Sequence, residues 1–199
     1  MKALTAFICL TLTVLLFTST AGHTADYEKG AAAFHEGDYA TALTEWTPLA
    51  EQGDARAQFL LGAMYNEGKG VPQDYKAAAG WYTLSAEQGM PIAQYNLGQM
   101  YQQGWGVSKN SEIAAKWFLH AAEQGVASAQ AALGGLYFLG KGVQMHYVYA
   151  YMWLSIAAAN GMENAGEYRD TVMRQMNPEQ IAEAQEATLE CVRKGFKGC

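Results

Sequence analysis

Basic residues, histidine and cysteine are all scarce in this chain, and the scarcity removes whole classes of function. Its 199 residues hold 13 lysines and arginines against 19 acids, a net charge of −6. With no basic run among them, this balance argues against nucleic acid or an anionic membrane as the main partner. The four histidines, His23, His35, His120 and His146, contain no i, i+4 pair, so a helical zinc motif is absent. His120 is expected to be a partly buried filler and His146 to stand at a helix start. Neither Ser-x-x-Lys nor Gly-x-Ser-x-Gly occurs, so no familiar activated serine is present. No catalytic residue, metal site or cofactor is expected.

Long apolar runs are missing too, except one. Ala3 to Phe17 follows the single charge of Lys2 and precedes the small residues Ser19, Thr20 and Ala21. That is the layout of a secretory signal peptide over 1–21, with a mature chain starting near Gly22. The run is shorter than the ~20 residues a bilayer span needs. Cys9 lies inside it rather than after it, which disfavours a lipid-acceptor role. Losing residues 1–21 removes Lys2 and no acid, so the remainder is one unit more negative. The expectation is an exported protein without stable membrane insertion, in a bacterial periplasm or, alternatively, secreted further.

Of the three cysteines, Cys191 and Cys199 remain after such cleavage. Exported compartments are oxidising, so the two can pair; two free or partner-linked thiols are the other reading. Closing so short a loop would add about 2.5 kcal/mol by the chain-entropy estimate and hold the last helix against fraying.

What the chain has in abundance is repetition. Trp81, Trp117 and Trp153 lie 36 residues apart, as do Gly62, Gly98 and Gly134, and Val71, Val107 and Val143. A fixed period of this size marks a stacked repeat array. Each unit reads as two helices. The first spans about Ala55 to Glu67, with Gln58, Leu61, Gly62 and Tyr65 facing inward at helical spacing. The second spans about Tyr75 to Gln88, with Asp74 as its N-cap, Asn110 doing the same one unit on, and Gly89 past its end. A mid-helix glycine costs about 1 kcal/mol against alanine, so Gly62, Gly98 and Gly134 imply close helix approach. Tyr65 and Trp81, with their repeats, are the candidates to fill that space. Gly68 and Gly70 permit positive φ in the connection; with no preceding strand and no third glycine they are not a phosphate loop.

The ends diverge. Residues 22–53 carry a shorter turn at Gly37, Asp38 and Tyr39 and read as an N-terminal cap. Repeats follow at 54–89, 90–125 and 126–161. Residues 162–199 read as C-terminal capping helices, the last opened by Asn177, Pro178 and Gln180 and given an apolar side by Ile181, Ala184, Ala187, Leu189 and Val192.

The recurring set Ala57, Gln58, Leu61, Gly62, Tyr65, Gly68, Gly70, Val71, Asp74, Ala78, Trp81, Ala86, Gln88 and Gly89 resembles the SEL-one-like repeat, a relative of the tetratricopeptide repeat. The resemblance implies an all-α fold, a right-handed superhelical solenoid of antiparallel helix pairs. It also implies that first helices line a concave face. The residues so placed are Arg56, Phe59, Ala63 and Asn66; Ile92, Tyr95, Gln99 and Gln102; and Ser128, Ala131, Gly135 and Phe138, with Glu28 and His35 from the first unit. Aromatics beside amides suit an extended peptide or a partner's helix, although Phe59, Tyr95 and Phe138 read equally well as filler between repeats. Trp105, where other units carry Lys69 and Lys141, is either packed locally or a loop contact.

The resulting expectation is a non-catalytic scaffold of the cell envelope that binds a protein or peptide in its groove. Two alternatives stand beside it. Some exported members of the family are described as β-lactam hydrolases, so a cell-wall or β-lactam hydrolase is one, although their recurrent within-repeat disulfides are absent here. A structural subunit binding through its loops is the other. Oligomeric state is not legible.

Overall fold

The computed structural model describes residues 25–199; the signal-peptide expectation, with Cys9 and His23, lies outside them. The described residues form ten α-helices and no strand: α1 (Tyr27–Glu36), α2 (Tyr39–Glu51), α3 (Ala55–Glu67), α4 (Tyr75–Glu87), α5 (Pro91–Gln103), α6 (Ser111–Ala122), α7 (Ala127–Leu139), α8 (Tyr147–Ala159), α9 (Ala165–Met173) and α10 (Pro178–Arg193). From α1 to α9 each helix packs on the next, so the described residues form an all-α solenoid of consecutive antiparallel pairs, and α10 folds back onto α8.

Polar side chains start most of the helices, α5, α7 and α9 excepted. Asp26, Asp38, Asp54, Asp74 and Asn110 each accept backbone N–H groups of the following turn. His146 takes the same place before α8, its ring accepting from the Tyr149 N–H at 3.4 Å. Asn177 and Gln180 close a reciprocal capping box at α10.

The glycines in the first helices do mark close approach, but to a different partner than expected. A Cβ at Gly62 would lie 2.6 Å from the Tyr82 ring, at Gly98 2.7 Å from Phe118, and at Gly134 2.8 Å from Leu154. Gly30 faces Trp46 in the same way. The filler is therefore the residue after the repeated tryptophan. Tyr65 is only half-buried, and Met64 takes the inward place predicted for it. The tryptophans pack backward instead. Trp81 lies against the cluster of Trp46, Ala57 and Leu61, and Trp117 against that of Ala86, Ala93 and Leu97. Trp153 is 1% exposed because α10 covers it, with Cys191 in the same cluster.

A ladder of buried amides ties the pairs together. Gln58 Nε2 donates to the Ala50 carbonyl at 3.0 Å, and its Oε1 accepts from Gln88 at 2.7 Å. Gln94 bridges Ala86 and Gln124 at 3.1 and 2.8 Å, and Gln130 bridges Ala122 and Asn160 at 3.1 and 2.9 Å. Each rung satisfies the end of the previous pair and binds the end of its own. A buried amide is tolerable only when bonded in this way.

The connections interlock as well. Gly106 has φ +69, and a Cβ there would overlap the Tyr75 carbonyl at the start of the preceding α4; Gly142 sits likewise on Ser111. Only glycine meets both demands.

At the C-terminal end, α10 buries Ala184 and Cys191 and half-buries Ile181 and Ala187. Leu189 and Val192, expected on that face, are 68% and 50% exposed, because α8 receives the side of the helix carrying Cys191. Cys191 and Cys199 form a disulfide with Cα atoms 5.4 Å apart. The Gly198 N–H donates to Glu123 at 2.9 Å, which pins the tail to the end of α6.

Candidate binding groove

With second helices and loops holding one another, the first helices α3, α5, α7 and α9 leave hollows between them. Their outward positions decide what those hollows can hold.

The first hollow, between α3 and α5, measures about 220 Å³ and is lined by Phe59, Ala63, Asn66, Gln99 and Trp105, among others. Phe59 leans on the Tyr82 ring, centroids 5.9 Å apart. Trp105 stacks on Tyr75 at 5.7 Å and still stays 45% exposed, so local packing and availability coexist.

The second hollow, between α5 and α7, measures about 470 Å³ and takes Tyr95, Gln99, Gln102, Ser128, Ala131 and Gly135 in its wall. Tyr95 rests on Phe118 at 5.7 Å, and its hydroxyl accepts from Gln99 at 2.9 Å. The third hollow, of about 460 Å³, lies between α7 and α9 and is apolar: Phe138, Leu139, Leu154, Tyr168 and Val172 line it. It shares Ala131, Gly135 and Leu139 with the second, so the two form one trough.

Phe59, Tyr95 and Phe138 are thus half-buried and groove-lining at once. Arg56 and Ile92 line none of these hollows. The Arg56 guanidinium sits over the Tyr27 ring at 4.1 Å and within 3.5 Å of Asp54. Ile92 is 44% exposed near the start of α5. Sequence reasoning missed Gln103, Lys109 and Lys141 around the second hollow and Tyr168, Thr171 and Val172 in the third. The lysines stand in the connections, outside the helical face that was counted. The α9 residues belong to a unit where the period has decayed.

The groove offers bonding rather than acid–base chemistry. Burial pushes the Tyr82 phenol up to about 12. It also raises that of Tyr95, against a smaller lowering from Ser128. Both stay neutral hydroxyls near pH 7, as donors and acceptors. His120, expected to be partly buried, is exposed, with its ring edge-on to Trp117 at 5.8 Å. The buried face of α6 is Ala114, Ala115, Phe118, Ala121 and Ala122, which turns position 120 outward. Its register is buried only at Ile156, in the helix that α10 covers. Among the described residues, no three His, Cys, Asp or Glu side chains cluster as metal ligands, and no helix is long and apolar enough to cross a membrane.

A family model for the Sel1 repeat matches residues 55–90, 91–126 and 127–162. Among solved structures, the chain is similar to a Sel1 repeat protein from Oxalobacter formigenes, with 38% identity and a TM-score of 0.66 over 70% of this chain and 57% of that one. It is also similar to c5321, a protective antigen present in uropathogenic Escherichia coli strains displaying an SLR fold, with 28% identity and a TM-score of 0.52 over 85% of this chain and 46% of that one. The chain therefore spans about half the length of each. Among curated proteins none matches.

Proposed function

The chain belongs to the Sel1 repeat family, and from that premise we propose that it is a non-catalytic scaffold of the bacterial cell envelope that holds a peptide segment of a partner protein along its concave groove. The observation that carries this reading is the row of hollows between successive first helices, each combining a half-buried aromatic with polar or apolar wall residues. Aromatics anchored from behind by Tyr82, Phe118 and Tyr147 are rigid, so a ligand meets a surface whose ordering is already complete. The amides of Gln99 and Gln102 supply donors and acceptors for a bound backbone. The envelope assignment rests on Lys2, the apolar run from Ala3 to Phe17 and the small residues ending at Ala21.

The test is affinity capture from envelope extract, with the chain run beside a variant carrying Phe59→Ala, Tyr95→Glu and Gln99→Ala that circular dichroism shows to be helical. A partner held by the parent and lost by the variant is the expected result. A partner held equally by both moves binding to the loops or the convex face, with Trp105→Ser as the next variant. Expression of the full chain followed by fractionation and mass spectrometry checks export: the periplasmic species should begin near Gly22, and a cytoplasmic chain that keeps Lys2 would overturn the envelope assignment.

A further inference from the structure

The C-terminal trough differs from the rest of the surface in its charge. The protein is acidic overall, with 19 acids to 13 lysines and arginines. Yet the charged residues lining the second and third hollows are Lys109 and Lys141, and no carboxylate joins them. Both lysines are exposed, and among the described residues no carboxylate forms a salt bridge with either. Gly142 packs on Ser111 and so brings the connection bearing Lys141 up to the start of α6, two residues beyond Lys109. Two unneutralised ammonium groups therefore flank one end of a trough whose other end is an apolar hollow of about 460 Å³ walled by Phe138, Leu139, Leu154 and Tyr168.

Resting on the groove-binding reading above, we propose that the trough between α5, α7 and α9 is a docking site for an acidic peptide segment carrying one large apolar side chain. The acids approach Lys109 and Lys141, where long flexible ammonium stems follow a range of carboxylate positions. The amides of Gln102 and Gln103 face the peptide backbone. The apolar side chain enters the third hollow, where an aromatic ring can bury 150–250 Å² in general. Because the hollows share Ala131, Gly135 and Leu139, one extended strand rising ~3.3 Å per residue serves both. A basic segment would meet two ammonium groups with nothing to offset them, so the same charges that favour one partner reject another.

The experiment is selection of a displayed library of random dodecapeptides on the purified chain, with the recovered peptides measured by fluorescence polarisation. Enrichment of aspartate and glutamate around one aromatic or large aliphatic residue is the expected result. The double variant Lys109→Glu, Lys141→Glu should bind these peptides about tenfold more weakly or worse, and raised salt should weaken the parent in the same direction. Both lysines are exposed, so circular dichroism should show the double variant folded like the parent. Phe138→Ala should weaken the same peptides at any salt concentration. Peptides that bind regardless of charge but fail on Phe138→Ala overturn the acidic partner and leave the groove reading standing. Enrichment of neutral or basic sequences, or an unchanged affinity in the double variant, overturns it as well. Peptides indifferent to all these variants, or none selected, overturn both. A chain that pairs with itself and separates on charge reversal overturns it in favour of a second copy as the occupant.

Discussion

Residues 55–159 and residues 165–199 close the ends of their helix pairs by different means. In the first region a buried glutamine from each first helix bonds the end of the previous pair and receives an amide from the end of its own. The last rung is Gln130 with Asn160. One period beyond Gln130 stands Gly166, which has no amide to offer. There a covalent link takes over: the Cys191–Cys199 disulfide, with Gly198 bonded to Glu123. An internal repeat finds its bonding partners in the neighbours on both sides. A terminal one has a neighbour on one side alone and needs another device.

The largest effect should come from breaking the internal region at one of its close helix contacts. Gly98→Val would drive its Cβ into the Phe118 ring and Ala114 carbonyl with no flexible atom to yield. Overpacking of this kind is expected to destabilise by about 3 kcal/mol. Urea denaturation followed by circular dichroism measures it, and a loss below about 1 kcal/mol would mean the stack opens there easily.

Breaking the terminal device comes next. Cys199→Ser should remove up to about 2.5 kcal/mol from the end of the molecule, the loop-entropy value for so short a bridge. Hydrogen exchange locates the loss: amides of α10 should exchange faster while α3–α6 keep their protection. Equal acceleration throughout would show that the two regions unfold as one. Gln94→Leu is the converse. It removes both bonds of that rung, leaving the Ala86 carbonyl with the Gly89 N–H and the Gln124 amide without its Gln94 partner, and should destabilise by about 2 kcal/mol, felt at α4 and α5 rather than at α10.

The contrast between regions also sets how much of the molecule was legible. The 36-residue period, the caps at Asp74, Asn110 and Asn177 and the glycines past helix ends rest on local rules, and the structure shows them. The partner of the mid-helix glycines was hidden because its identity changes from Trp46 to Tyr82, Phe118 and Leu154. Such a position varies because it need only be bulky, so matching identical residues passes over it. Leu189 and Val192 misled because an apolar pattern says which residues share a side and not which side docks. Along the groove, Phe59, Tyr95 and Phe138 follow from the resemblance to the repeat family, and the structure places all three in hollow walls. Lys109 and Lys141 do not follow from it. Lys109 aligns with Gln73 and Met145, so its charge is a property of one unit.

The smallest effect separates glycines held for packing from glycines that merely occupy a helix. Gly80 lies in α4, exposed, with nothing within 4 Å of an added Cβ. Gly80→Ala should therefore stabilise by about 1 kcal/mol, the helix-propensity difference, and raise Tm by about 2–4 °C. Gly135 in α7 also has nothing within 4 Å of an added Cβ, and Gly135→Ala should give a similar gain. Its empty space, however, is the floor of the second and third hollows. If that trough holds a ligand, Gly135→Ala should raise stability and lower affinity together, while Gly80→Ala raises stability alone. Equal binding by both variants would mean that the room at Gly135 serves no ligand, and the comparison needs one melting curve and one titration each for the parent and the two variants.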